Sequence, residues 1–143
     1  MRISPQEAHA KMTGEGVAYV DVRTEEEFEA GHPQGAFNVP LMRAGANGME
    51  PNDDFLRVME TSFEKNAPLI VGCKMGGRSA RAAEMLAAAG FANVLDQRAG
   101  WDGARGSFGE LTEPGWSRAK LPAEHGAEGP RAYASLRAAL TKP

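Results

Sequence analysis

The 143-residue chain, 42% apolar and 24% charged, has the make-up of one globular domain long enough to bury a core, with little room for a second. A net charge of -3 without any run of Lys or Arg offers no footprint for nucleic acid. The opening Met1-Arg2-Ile3-Ser4-Pro5-Gln6-Glu7 lacks the continuous apolar stretch of a signal peptide, so a cytoplasmic protein with no membrane partner is expected.

Ser4, Pro5 and Glu7 form an N-cap, a first-turn proline and a capping-box acid, which predicts a helix to about Thr13, stopped at Gly14. Residues 17–21, Val-Ala-Tyr-Val-Asp, form a short apolar run and predict a buried strand ending at Asp21. Thr24 with Glu27 repeats the capping box for a short helix closed by Gly31, and residues 36–39 predict a second strand. Residues 40–53, rich in Gly, Asn and Pro, read as a loop; Phe55, Val58, Met59 and Phe63 then follow with helical spacing. Residues 69–72 predict a strand running into Cys73. Ala82, Met85, Leu86 and Ala89 mark a helix over 77–89 that Gly90 ends. A strand at 93–96, an irregular stretch over 97–129 and a terminal helix over 131–140 complete the chain. Strands alternating with helices argue for an α/β fold with a mostly parallel sheet covered on both faces.

The chemistry concentrates in Val71-Gly72-Cys73-Lys74-Met75-Gly76-Gly77-Arg78-Ser79. Parallel sheets place sites at the carboxyl ends of their strands, where Cys73 stands. Two adjacent glycines allow backbone N–H groups to turn inward, and the following helix N-terminus adds partial positive charge. Lys74 and Arg78 add two formal cations that favour thiolate over thiol. Arg78 also occupies the first turn of a helix, where a cation opposes the dipole, so a compensating anion is expected beside it. Because Cys73 is the only cysteine, neither an internal disulfide nor a resolving thiol is available, and an outside molecule must complete whatever Cys73 begins.

Three ordered motifs resemble the rhodanese-like domain family over roughly residues 3–122. They are Asp21-Val22-Arg23-Thr24-Glu25-Glu26-Glu27-Phe28, with Gly31-His32-Pro33 and Asn38-Val39-Pro40 behind it; the Cys73-to-Ser79 loop; and Gly90-Phe91-Ala92-Asn93-Val94 leading to Ala99-Gly100-Trp101. The resemblance implies a rhodanese-like α/β domain over 1–125, with a mostly parallel five-stranded sheet and helices on both faces, followed by a tail over 126–143 with a short helix. It also implies a sulfurtransferase without cofactor or metal. Cys73 would accept sulfane sulfur from a donor such as thiosulfate or a persulfide and pass it to cyanide or a thiol, a protein thiol included. Lys74, Met75, Gly76, Gly77, Arg78 and Ser79 would hold the persulfide, Asp21 and Arg23 would buttress the loop, and His32 would make a structural hydrogen bond.

Glu27 and Met75 stand where two-domain thiosulfate sulfurtransferases usually carry an arginine and often carry a lysine. Residues 102–115 are extra sequence expected to wall one side of the site. Two rival readings are a cysteine phosphatase or arsenate reductase and a non-catalytic module that binds a partner or senses oxidation through an exposed thiolate. Spacing opposes the first, because Arg78 lies five positions after Cys73 whereas those enzymes place the arginine six after.

Overall fold

Residues 1–141 are described by the computed structural model. In chain order the elements are β1 (Arg2–Ile3), α1 (Pro5–Glu15), β2 (Ala18–Asp21), α2 (Glu25–Ala30), β3 (His32–Pro33), β4 (Phe37–Asn38), β5 (Met42–Gly45), β6 (Gly48–Pro51), α3 (Phe55–Ser62), β7 (Leu69–Gly72), α4 (Gly77–Ala88), β8 (Val94–Gln97), β9 (Gly103–Arg105), β10 (Leu111–Pro114), β11 (Ala123–Glu124) and α5 (Tyr133–Ala138). A 3-10 turn, Ala139–Thr141, follows.

Both capping boxes form as the sequence predicts. Ser4 accepts from the Glu7 amide while Glu7 reaches back to the Ser4 amide, and Thr24 and Glu27 do the same for α2. The first helix runs past Gly14 and ends at Gly16, whose φ of 68° supplies the left-handed turn that terminates helices. Gly14 is the earlier glycine but lacks that conformation.

Five strands make the central sheet, ordered β1-β8-β7-β2-β4, with every pairing parallel. The strand carrying Cys73, β7, lies in the middle and is buried along its whole length. Alternation along the strands divides the core in two. Val20, Leu69 and Val71 face α3, α4 and Tyr133 of α5, whereas Tyr19 and Ile70 face α1, Phe28 of α2 and Trp116. Helices therefore cover both faces, as a parallel sheet requires.

The structure corrects the reading of two loops and adds a strand that the sequence did not mark. Residues 40–53 are not an irregular loop but hold the exposed antiparallel hairpin β5–β6. The 97–129 stretch contains a second hairpin, β9–β10, and β11, which pairs with β3. The edge strand β1 has two residues, too few for any periodicity, and forms because Met1 and Ile3 carbonyls accept from the Asp96 and Arg98 amides. The terminal helix stops at Ala138, with Tyr133 buried in the core. The last two residues of the expected tail lie outside the described residues. No helix among the described residues is long and apolar enough to cross a membrane.

Candidate active site

The chain leaves β7 at Gly72 and enters α4 at Gly77, so residues 73–76 must turn within four positions at the carboxyl edge of the sheet. Gly76 makes the turn possible. Its φ is 102°, which L side chains rarely adopt, and a Cβ there would strike the Arg98 carbonyl oxygen. In this conformation the Gly76 N–H donates to Cys73 Sγ at 3.1 Å. Gly77 has open space around it and serves as the first residue of α4.

Cys73 is 2% exposed and packs within the apolar cluster, which by itself describes an ordinary core cysteine. Its sulfur is nevertheless set among polar groups. Besides the Gly76 amide, the thiol reaches Ser79 Oγ at 3.5 Å, and Ser79 in turn donates to Asp96 Oδ1 at 2.6 Å. The oxidation-sensing reading supposed an exposed thiolate, and the burial of Cys73 corrects that premise.

A second turn clamps the loop from outside. Trp101 N–H donates to the Cys73 carbonyl at 2.7 Å and Asp102 N–H to the Lys74 carbonyl at 2.9 Å. Fully buried Gln97 shapes this turn, accepting from the Ala99 and Gly100 amides while donating to the Gly100 carbonyl and the Tyr19 hydroxyl. Burial drives the Tyr19 phenol far above its ordinary range and keeps it neutral. Its oxygen occupies the space where a side chain at Gly72 would go.

Asp21 and Arg23 form a buried pair on the other flank. Arg23 Nη2 donates to Asp21 Oδ2 at 2.7 Å and to the Gly31 carbonyl at 2.6 Å. Asn38 Nδ2 donates to both backbone carbonyls, and the guanidinium lies 5.1 Å over the Trp101 ring. The pair thus bears on the loop through Trp101. His32 lies with Nδ1 2.6 Å from the Phe28 carbonyl, its ring stacked on Phe28 and Nε2 3.3 Å from Glu124 Oε1.

The two cations of the loop separate. Lys74 is exposed and has no ion pair among the described residues. Arg78 does not turn its charge to the sulfur but grips Glu27 with two bonds of 2.7 and 3.0 Å. Burial alone raises the Glu27 carboxyl, but the bonds from Arg78 and the Thr24 backbone outweigh it and hold the group down to about 2. The compensating anion expected beside Arg78 is therefore Glu27, which also caps α2. Met75 is half exposed at the loop's outer surface.

Asp96 and Gln97 are the site residues that sequence reading missed. An aspartate directly after the apolar pair Val94-Leu95 of a predicted strand was the available signal. The extra residues 102–115 form the β9–β10 hairpin, tied down by Arg98 to Glu113 bonds of 2.9 and 3.0 Å, with Phe108 exposed near its tip.

The Rhodanese-like domain family model matches residues 4–106. The chain is similar to Thiosulfate sulfurtransferase 16, chloroplastic, of Arabidopsis thaliana, 51% identical over 57% of this chain and 68% of that one. It is 32% identical to Thiosulfate sulfurtransferase GlpE of Haemophilus influenzae over 84% of this chain and 90% of that one. It spans about half the length, 47%, of senescence-associated protein DIN1 of Raphanus sativus, at 43% identity over 60% of this chain. The crystal structure of Rv0390 from M. tuberculosis superposes with a TM-score of 0.70 at 28% identity, covering 87% of this chain and 97% of that one.

Proposed function

The chain belongs to the rhodanese-like domain family, and from that premise we propose that it is a sulfurtransferase whose Cys73 carries sulfane sulfur as a persulfide between a small donor and a thiophilic acceptor. In the first half-reaction the Cys73 thiolate attacks the outer sulfur of thiosulfate, or the sulfane sulfur of a persulfide. A new S–S bond forms at Cys73 while sulfite, or a thiolate, leaves with the electron pair of the broken bond. In the second, cyanide or a thiolate attacks the terminal sulfur, taking it away and returning the Cys73 thiolate. Neither half needs a metal or an external electron source.

The observation that carries this reading is the Gly76 N–H aimed at Sγ from a left-handed turn at the carboxyl edge of the central strand. A cysteine that serves packing alone needs no such donor. An anionic sulfur in that position gains a charge-assisted hydrogen bond from this amide, and in this reading the backbone of residues 74–79 forms the rest of its cradle. Met75, Gly77 and Lys74 then form the outer side of the cradle, with Lys74 the loop's cation free of an ion pair among the described residues. Because Glu27 occupies Arg78, the site holds less free positive charge for a doubly charged donor. This favours a persulfide over thiosulfate.

Mass spectrometry after incubation with thiosulfate, and separately with a low-molecular-weight persulfide, tests the proposal. One added sulfur on Cys73, removable by cyanide or dithiothreitol and absent from Cys73→Ser, is expected. A protein that never retains sulfur from any donor, or that hydrolyses an aryl phosphate instead, refutes it.

A further inference from the structure

Cys73 stands at one end of a file of side chains that runs beneath the loop to the far edge of the sheet. The thiol meets Ser79 Oγ at 3.5 Å, Ser79 donates to Asp96 Oδ1 at 2.6 Å, and Asp96 Oδ2 accepts from Arg2 Nε at 2.9 Å. Ser79 and Asp96 are buried, 0% and 3% exposed, whereas the Arg2 side chain is 54% exposed. The two-residue strand β1 therefore brings one solvent-facing cation to a carboxylate that would otherwise be costly to bury.

The geometry decides where the Ser79 proton points. A serine hydroxyl has one hydrogen, and two acceptors lie within reach: Asp96 at 2.6 Å and the Gly76 carbonyl at 3.3 Å. The bond to the carboxylate is the shorter and the charge-assisted one, so it takes the proton. What Ser79 then presents to the sulfur is an oxygen lone pair. A thiol can donate its S–H to that lone pair, but a sulfur anion meets oxygen electron density, with the carboxylate charge behind it. Gly76 acts in the opposite sense, since its N–H favours the anion.

We infer that Asp96, braced by Arg2, is a positioning residue that works through Ser79 to restrain the ionisation of Cys73. The other charged groups near the sulfur do not supply this restraint. Tyr19 of β2 is neutral, Asp21 is paired with Arg23, Arg78 of α4 with Glu27, and Arg98 beyond β8 with Glu113. Lys74 is a cation and acts against it. A restraint of this kind suits a chain with one cysteine, which has no second thiol to rescue an oxidised first. The inference rests on Cys73 being the sulfur carrier, yet it concerns the thiol before any donor arrives.

The rate of Cys73 alkylation by iodoacetamide, followed from neutral to alkaline pH, reads it directly and requires no sulfur donor. Asp96→Asn is expected to move the half-maximal rate to lower pH by about one unit, because it removes the charge and frees the Ser79 hydroxyl to turn to the sulfur. In a Ser79→Ala background the same substitution is expected to shift the curve by less than about half as much. Arg2→Gln, at a half-exposed side chain, is expected to move it upward. An unmoved curve in Asp96→Asn, or an equal shift with and without Ser79, overturns the inference. Should Asp96→Asn fail to fold, Arg2→Gln decides: an upward shift supports the restraint, and no shift or a downward one overturns it. Persulfide loading measured in parallel separates the two readings, since failure to load with the pH shifts intact removes the sulfur-carrier role alone.

Discussion

Two aspartates flank the Cys73 strand, Asp21 at the end of β2 and Asp96 on β8, and each is buried against an arginine. The resemblance ends there. Arg23 stands two residues from Asp21, is as buried as its partner, and donates from the same Nη2 to the Gly31 carbonyl. Arg2 stands 94 residues from Asp96, is half exposed, and leaves one carboxylate oxygen for Ser79. One pair is closed upon the backbone and braces the turns around the loop. The other is open at both ends, to solvent through Arg2 and to the thiol through Ser79. The two pairs thus differ in what lies beside them: backbone carbonyls for Asp21–Arg23, and Ser79 in contact with the Cys73 sulfur for Asp96–Arg2.

That contrast is sharpened most by Arg23→Met. Removing one partner of a buried pair leaves the other uncompensated, and a loss of about 3–5 kcal/mol in urea unfolding is expected, with the alkylation pH curve of the folded fraction moved less than in Asp96→Asn. A curve that shifts as far as in Asp96→Asn would erase the distinction between the two pairs. Next in size is Gly76→Ala. A left-handed backbone costs an L residue roughly 1–2 kcal/mol, and the new methyl meets the Arg98 carbonyl. Stability should fall by about 2 kcal/mol or more, and persulfide loading by at least about tenfold, because the amide leaves Sγ. Wild-type loading in this variant would show that the Gly76 N–H has no part in holding sulfur.

The Arg78–Glu27 pair, with side chains 26% and 29% exposed, should behave as an intermediate case. The Glu27 carboxyl sits at about 2 in the folded chain against an ordinary 4.5, so folding favours its ionised form. Its stabilisation is present above about pH 4.5 and disappears as pH falls toward 2; solvent screening limits it to the order of 1 kcal/mol. Melting temperatures of wild type and Glu27→Gln should therefore differ above that window and converge below it, and parallel curves would refute the assignment. The smallest effect is expected from deleting residues 105–112 of the β9–β10 hairpin. Its exposed tip contributes little to the core, so the fold should persist while donor KM changes a few-fold; unchanged kinetics would show that the hairpin does not wall the site.

Much of the fold was legible because its signals are local. Ser4 with Glu7 and Thr24 with Glu27 are three residues apart, and Ala82, Met85, Leu86 and Ala89 share one helical face. The Cys73-to-Ser79 loop could be recognised for the same reason, since strand, glycines and helix start follow one another without interruption. The β5–β6 hairpin was hidden because its residues are exposed on both faces, so no apolar alternation marks it. The partner of Arg78 was foreseen as an anion but not as Glu27, which lies 51 residues away.

By itself, then, the amino-acid order marked the candidate sulfur, the turn beside it and the helices that cover the sheet. These follow from short-range backbone preferences and from the rarity of a lone cysteine between a buried strand and paired glycines. Only the tertiary structure decided which charges that sulfur feels. Parallel pairing brings β8 beside β7 and β1 beside β8, and so delivers Asp96 and Arg2 to Ser79 from distant parts of the chain, while α2 takes Arg78 away. Electrostatic effects depend on distance in space and on burial, and neither can be read from separation along the sequence.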